Sequence, residues 1–330
     1  MPTIRKWLFP AAKLCLVALV AWGIHRTASS AWETLHERHW NPSQLHVPWL
    51  LLAAVLGLLG MLPPGLFWHR VLVVLGQPAQ RGEALRAYYV GNVGKYAPGK
   101  AMVIVLRAGL LRAGGTTATA ATVAVFYETL TTMAAGMFWT LAVLSLRFPG
   151  HWNLVLPAAG LLAVVGLPTV PYVFRRLARL TGARKLDPAM AERLDQLGFG
   201  TVAAAWTALG FGWLSQGAGL WATLAAGGHT SSLNWLDQVL ICTAAMALAV
   251  VAGFLSFVPG GLVVREALLL ELLSPWFGRA GALIAAVLVR LVGIAGELVI
   301  AGALYWFGPR PRDAAANAAT DAGRDTDEKG

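Results

Sequence analysis

Long apolar runs bounded by charge, Pro or Gly organise the chain. They fall near residues 7–24, 47–67, 117–146, 153–174, 199–227, 237–258 and 279–307, and most approach or exceed the ~20 apolar residues that cross a bilayer as a helix. Several are longer than the minimum, which allows tilt. Trp49, Trp139, Trp152, Trp235, Trp276 and Trp306 lie near the predicted ends, where an amphipathic indole is favoured at the headgroup level. The pattern predicts an all-α membrane protein, a polytopic helical bundle of seven or eight transmembrane helices.

Both termini depart from this pattern. Arg5 and Lys6 precede the apolar run from Trp7 to Ile24, and "TASSA" follows it, which is also the grammar of a signal peptide. Lys13 interrupts the run and everything after it is itself membrane, so a retained first helix is the reading adopted. Residues 308–330, "GPRPRDAAANAATDAGRDTDEKG", are too polar to bury a core and read as a disordered tail. The expected division is therefore a membrane domain over 1–307 and a tail over 308–330.

Two stretches break the rule of whole spans. In "RGEALRAYYVGNVGKYAPGKAMVIVLRAGLL" two half-length apolar pieces, about 82–97 and 101–112, flank Pro98-Gly99. A helix of 12 residues rises about 18 Å against a hydrocarbon core of about 30 Å, so neither piece crosses alone. Pro98 lacks an amide hydrogen and disfavours helix in Ala97, while Gly99 accepts a turn, which predicts a re-entrant helical hairpin. The same grammar returns in "GFLSFVPGGLVVREALLLELL" around Pro259, Gly260 and Gly261. Matching interrupted segments in two halves of a chain point to a transporter site, because broken helices expose amide hydrogens near the midplane. With 36 Gly and 17 Pro in the chain, chance recurrence of Pro-Gly is the alternative.

Composition adds that 57% of residues are hydrophobic and 13% charged, with a mean hydropathy of +0.61, outside the soluble range. The net charge of +10 sits in short connections with no aromatic ladder, which argues against nucleic acid. It orients the chain instead. Residues 69–112 hold Arg70, Arg81, Arg86, Lys95, Lys100, Arg107 and Arg112 against Glu83, and 175–195 is similarly cationic. The positive-inside rule makes these connections and the N-terminus cytoplasmic. Cys15 and Cys242 lie far apart in apolar runs and read as packing residues.

The segments "GNVGKYAPGK" followed by "VLR", and "FVPGGLVVREALLLELL", resemble the two signature segments of the flippase-like transmembrane domain of the lysylphosphatidylglycerol synthase family. The resemblance covers roughly residues 7–307. It implies a multi-pass protein of the cell inner membrane, whose best-studied relatives move aminoacylated phospholipid between leaflets. Those relatives carry a soluble aminoacyltransferase domain after the membrane region, and here only the tail follows. Aminoacyl transfer is therefore not expected, and the identity of the lipid does not carry over.

An ionisable residue at membrane depth costs at least about 2.5 kcal/mol and marks a candidate site. Arg107 and Arg265 follow the two breaks, and Arg290 lies within the last span. With backbone amides at Pro98-Gly99 and Pro259-Gly260-Gly261, these guanidiniums are expected to bind a lipid phosphate. Glu128, Glu266, Glu271 and Glu297 are the available counter-charges. Arg290 and Glu297 are separated by about 10 Å along one helix face and cannot pair directly, so each is expected to face another helix or a polar cavity. Lys95 and Lys100 belong to the same candidate set, although snorkelling to headgroups explains them, and Arg112, as well. Simple helix-to-helix pairing is the competing account of the Arg and Glu residues.

The expected partners are membrane lipids with anionic phosphate headgroups, without nucleic acid, cofactor or metal. His25, His36, His39 and His46 lack compact metal spacing, and Asp325-Thr-Asp327 in the tail reads as a solvated charge run. No P-loop, G-x-S-x-G or triad pattern appears, so the expectation is a lipid translocator and not an enzyme. The alternatives are a scaffold for a separate lipid- or glycan-modifying enzyme and a glycosyl transferase component. One tension concerns topology. Seven spans from an inner N-terminus put the tail outside, against Arg310 and Arg312, unless a further crossing is built from residues 262–273 with their flanks.

Overall fold

The computed structural model describes residues 45–97, 101–170, 199–229, 231–256 and 263–309, with isolated positions elsewhere. Its helices are α1 (Val47–Gly60), α2 (Leu62–Val74), α3 (Arg81–Asn92), α4 (Ala101–Leu111), α5 (Ala118–Arg147), α6 (Trp152–Gly166), α7 (Phe199–Ala226), α8 (Trp235–Leu255) and α9 (Val264–Phe307). The protein is all-helical. Among the described residues, Val47–Val74, Ala118–Arg147, Trp235–Leu255 and Val264–Phe307 are long and apolar enough to cross a membrane. The run expected at 7–24, apart from Trp22, and the tail beyond Pro309 lie outside the described residues.

Local chemistry explains where these helices start and bend. α1 gives way to α2 at Met61, just before Pro63 and Pro64, whose missing amide hydrogens interrupt the ladder. The Thr117 side chain accepts from the Ala120 amide and caps α5, and Asn234 caps α8 through the Asp237 amide, each satisfying an orphan donor. The α1 and α7 backbones touch: a Cβ on Gly60 would stand 2.8 Å from the Gly212 carbonyl oxygen. Ser215 Oγ donates to the Leu56 carbonyl at 2.7 Å across this seam. Small residues and side-chain hydrogen bonds of this kind hold helices together where lipid removes the hydrophobic drive.

Contacts between helix ends define two faces. On one, the Thr117 amide donates to Gln77 Oε1 at 2.9 Å, Gly76 lies against the Arg193 side chain, and Gly82 against Pro309. Arg86 Nε donates to the Leu304 carbonyl at 3.0 Å, placing a cation on the C-terminal dipole of α9. The first cation-rich connection, Arg193 and the end of α9 therefore share this face. On the other, the His46 amide donates to the Ala226 carbonyl, Arg147 pairs with Asp237 at 2.7 Å, and the Trp276 ring meets Phe148 edge-on and His151 at a tilt.

α9 is two limbs, since Gly278 has φ 73 and ψ 157 within it. Glu266 and Arg290 stand twelve residues before and after Gly278, yet they form an ion pair. Twelve residues rise about 18 Å, so contact between them requires the limbs 264–277 and 279–307 to fold back antiparallel. The first limb is too short to cross, and the second is long enough. α8 spans about 31 Å by its 21 residues, a full crossing, and the chain is back on the Trp276 face by Gly278. The end of α8 and Gly278 thus lie on opposite faces, which is the sense of the further crossing that the sequence left open, and the end of α9 returns to the cation-rich face.

Candidate functional site

α3 and α4 form the expected hairpin, and its glycines make it possible. A Cβ on Gly91 would stand 2.4 Å from Arg107 Cγ, and one on Gly94 2.9 Å from the Val103 amide nitrogen. Without side chains at these positions the arms close directly on each other. α3 runs antiparallel to the second limb of α9, from Arg86 at Leu304 to Lys95 at Glu297. The hairpin therefore enters from the cation-rich face, and Lys95 on its first arm stands about 10 Å inward of the Leu304 contact. The limb 264–277 runs inward from Gly278 on the opposite face, and Glu266 near its amino end meets Arg290, about 18 Å along the helix from Gly278 and about 10 Å along it from Glu297.

Two charged clusters result. The first is sealed: Arg107 Nη1 lies 3.1 Å from Glu128 Oε2, with side-chain exposures of 3% and 4%. Tyr88 and Thr132 hydroxyls donate to Glu128 Oε1 at 3.3 and 3.2 Å, and Thr129 to Oε2 at 3.3 Å. The guanidinium sits 3.9 Å from the Tyr88 ring centroid and 5.3 Å from that of Trp68, so its charge is met by a carboxylate and two π-faces. This cluster staples the hairpin to α5.

The second cluster lies along the second limb of α9, between Arg290 and Glu297. Lys95 Nζ stands 2.5 Å from Glu297 Oε1, and the Lys95 side chain is 38% exposed. Tyr96 hydroxyl and Asn92 Nδ2 donate to Glu297 Oε2 at 3.1 and 3.4 Å. Arg290 pairs with Glu266. Arg265 Nη2 donates to Met246 Sδ at 3.2 Å, a weak acceptor, and Tyr96 and Glu297 are within its Coulombic reach. Among the described residues, no carboxylate forms an ion pair with Arg265. Among the described residues, three cations and two carboxylates leave this cluster one positive charge.

The expected grouping of Arg107 with Arg265 and Arg290 is thus divided. Arg107 and Glu128 form the sealed pair, whereas Lys95, Arg265, Glu266, Arg290 and Glu297 come together. Arg290 and Glu297 do not pair with each other, and each faces another element, as their spacing requires. Lys95 is not merely snorkelling, because its ammonium is held by Glu297. Pro98, Gly99, Lys100, Pro259, Gly260 and Gly261 lie outside the described residues. Tyr88, Asn92, Tyr96 and Trp68 were not singled out from sequence. Tyr88 and Asn92, four apart on α3, share the face that carries the motif, and that spacing is the signal that could have found them.

A family model described as Lysylphosphatidylglycerol synthase TM region matches residues 10–301. No curated protein matches the chain.

Proposed function

This chain belongs to the lysylphosphatidylglycerol synthase TM region family, and we propose on that footing that it moves a lipid with an anionic phosphate headgroup between the leaflets of the inner membrane. The lipid is a phospholipid or a polyprenyl-phosphate-type lipid, and the protein acts as a translocator without catalysing a reaction. Its cation-rich face and N-terminus are cytoplasmic by the positive-inside rule.

One observation carries this reading: inside the bundle, within Coulombic reach of Tyr96 and Glu297, Arg265 has a sulfur contact where a guanidinium ordinarily has an oxyanion. A phosphate arriving there supplies the missing charge and takes two parallel N–H donors. Lys95, half in the open, exchanges between Glu297 and the phosphate. The acyl chains remain in lipid while the headgroup passes the point where the bilayer is most hostile to it. The sealed Arg107–Glu128 pair keeps the hairpin rigid during passage.

The test is leaflet-to-leaflet transfer of fluorescent anionic, zwitterionic and aminoacylated lipids in proteoliposomes. The reading predicts headgroup-selective transfer above protein-free vesicles. Transfer of every lipid at the protein-free rate contradicts it.

A further inference from the structure

Glu266 uses its two carboxylate oxygens unequally. Oε1 pairs with Arg290, while Oε2 is buried and has no hydrogen-bond partner among the described residues. A buried charged acceptor with no donor is a rare and costly arrangement in a folded protein. The next residue back, Arg265, shows the opposite shortage, with N–H donors to spare and a thioether as its contact. Adjacent residues at the inner end of the limb 264–277 thus offer spare donors beside a spare acceptor. A bound group completes both if it carries a phosphate and, a few ångströms away, a hydroxyl or ammonium donor.

Charge separates these two donors. Lys95, Arg265 and Arg290 against Glu266 and Glu297 leave one positive charge among the described members. A monoanionic phosphodiester with a hydroxyl-bearing headgroup brings the site to neutrality. An ammonium headgroup returns the excess charge, and a phosphomonoester dianion overshoots and sets its second charge against Glu266. We propose that Glu266 is a specificity-determining residue that accepts a headgroup hydroxyl, so that the site selects monoanionic, hydroxyl-bearing phosphodiester lipids over phosphodiesters without a donor and over phosphomonoesters. This rests on the translocator reading and narrows it.

Binding tests it separately from transport. The purified full-length chain is offered equal amounts of phosphatidylglycerol, phosphatidylmethanol and phosphatidic acid with matched acyl chains at pH 8, and bound lipid is counted by native mass spectrometry. Phosphatidylglycerol and phosphatidylmethanol have the same charge and differ in the hydroxyl donors. The wild type should prefer phosphatidylglycerol by about five-fold, the ratio one net hydrogen bond supplies. In Glu266→Ala that ratio should fall to about one. In the isosteric Glu266→Gln, which keeps an acceptor but removes a negative charge, binding should shift toward phosphatidic acid. Equal binding of phosphatidylglycerol and phosphatidylmethanol by the wild type, or binding of neither, overturns the proposal, and that comparison needs no variant to fold. Intact preference with no transfer in vesicles would sink the translocator reading alone; working transfer with equal binding would sink this inference alone.

Discussion

Lys95 and Glu297, 202 residues apart, meet at 2.5 Å and join the inner end of the hairpin's first arm to the last helix. Tyr96 and Asn92 donate to the same carboxylate, so a single acidic side chain receives the whole end of the "GNVGKY" turn. Any movement of that end of the hairpin must break or exchange this contact.

Charge reversal tests that joint. Lys95→Glu and Glu297→Lys should each reduce lipid transfer, and the double variant should recover part of it. A double-mutant cycle on transfer rates should give a coupling of about 1–3 kcal/mol, the range for residues in direct contact. Strictly additive losses would mean that the contact does not matter to passage.

The sealed cluster should behave as scaffold. Glu128→Ala leaves Arg107 charged and enclosed, which should cost about 3–5 kcal/mol of stability. The double replacement Arg107→Met with Glu128→Leu removes both charges and should recover most of that loss, read as the thermal unfolding midpoint in detergent. If the double variant is as unstable as the single one, the pair does more than hold the hairpin.

Much of this was legible in sequence, and for definite reasons. A half-length apolar piece beside Pro98-Gly99 has only a hairpin open to it, because 12 residues cannot cross, and α3 with α4 is that hairpin. The partners were not legible. Arg107 and Arg265 each follow a Pro-Gly break, yet Arg107 meets Glu128 and is buried under Trp68 and Tyr88, because Gly91 lets α4 lie close to α3. Nothing local to "VLR" reports that approach. The fold-back at Gly278 was equally hidden. "SPWFGRAG" can continue a helix with a kink, and only the contact of Glu266 with Arg290 reveals a complete reversal.

Gly91 is the position where this packing is most exposed to a single change. Gly91→Ala places a Cβ 2.4 Å from Arg107 Cγ, and overpacking of this kind should cost about 1–3 kcal/mol. The same change at Gly57, which has nothing within 4 Å of an added Cβ, should be close to neutral. Thermal unfolding of the two variants side by side gives the comparison.

The two faces make a labelling prediction. In a Cys15→Ser, Cys242→Ser background, Arg279→Cys beside Gly278 should react with a membrane-impermeant maleimide in intact cells. Gln80→Cys, near the Gly82–Pro309 contact, should react only after permeabilisation. Labelling of both from outside would contradict the shared position of the first cationic connection and the end of α9, and the reverse pattern would invert the proposed orientation.

Arg265 bears the central claim, that a phosphate is received inside the bundle beside Tyr96 and Glu297. The most direct measurement is the initial rate of anionic-lipid transfer in proteoliposomes for the wild type, Arg265→Lys and Arg265→Ala at equal reconstituted protein. The account predicts loss of about ten-fold or more in Arg265→Ala, the range for removing a charge-assisted hydrogen bond, with Arg265→Lys in between because it keeps the charge and loses the bidentate fork. Wild-type rates in Arg265→Ala would contradict it.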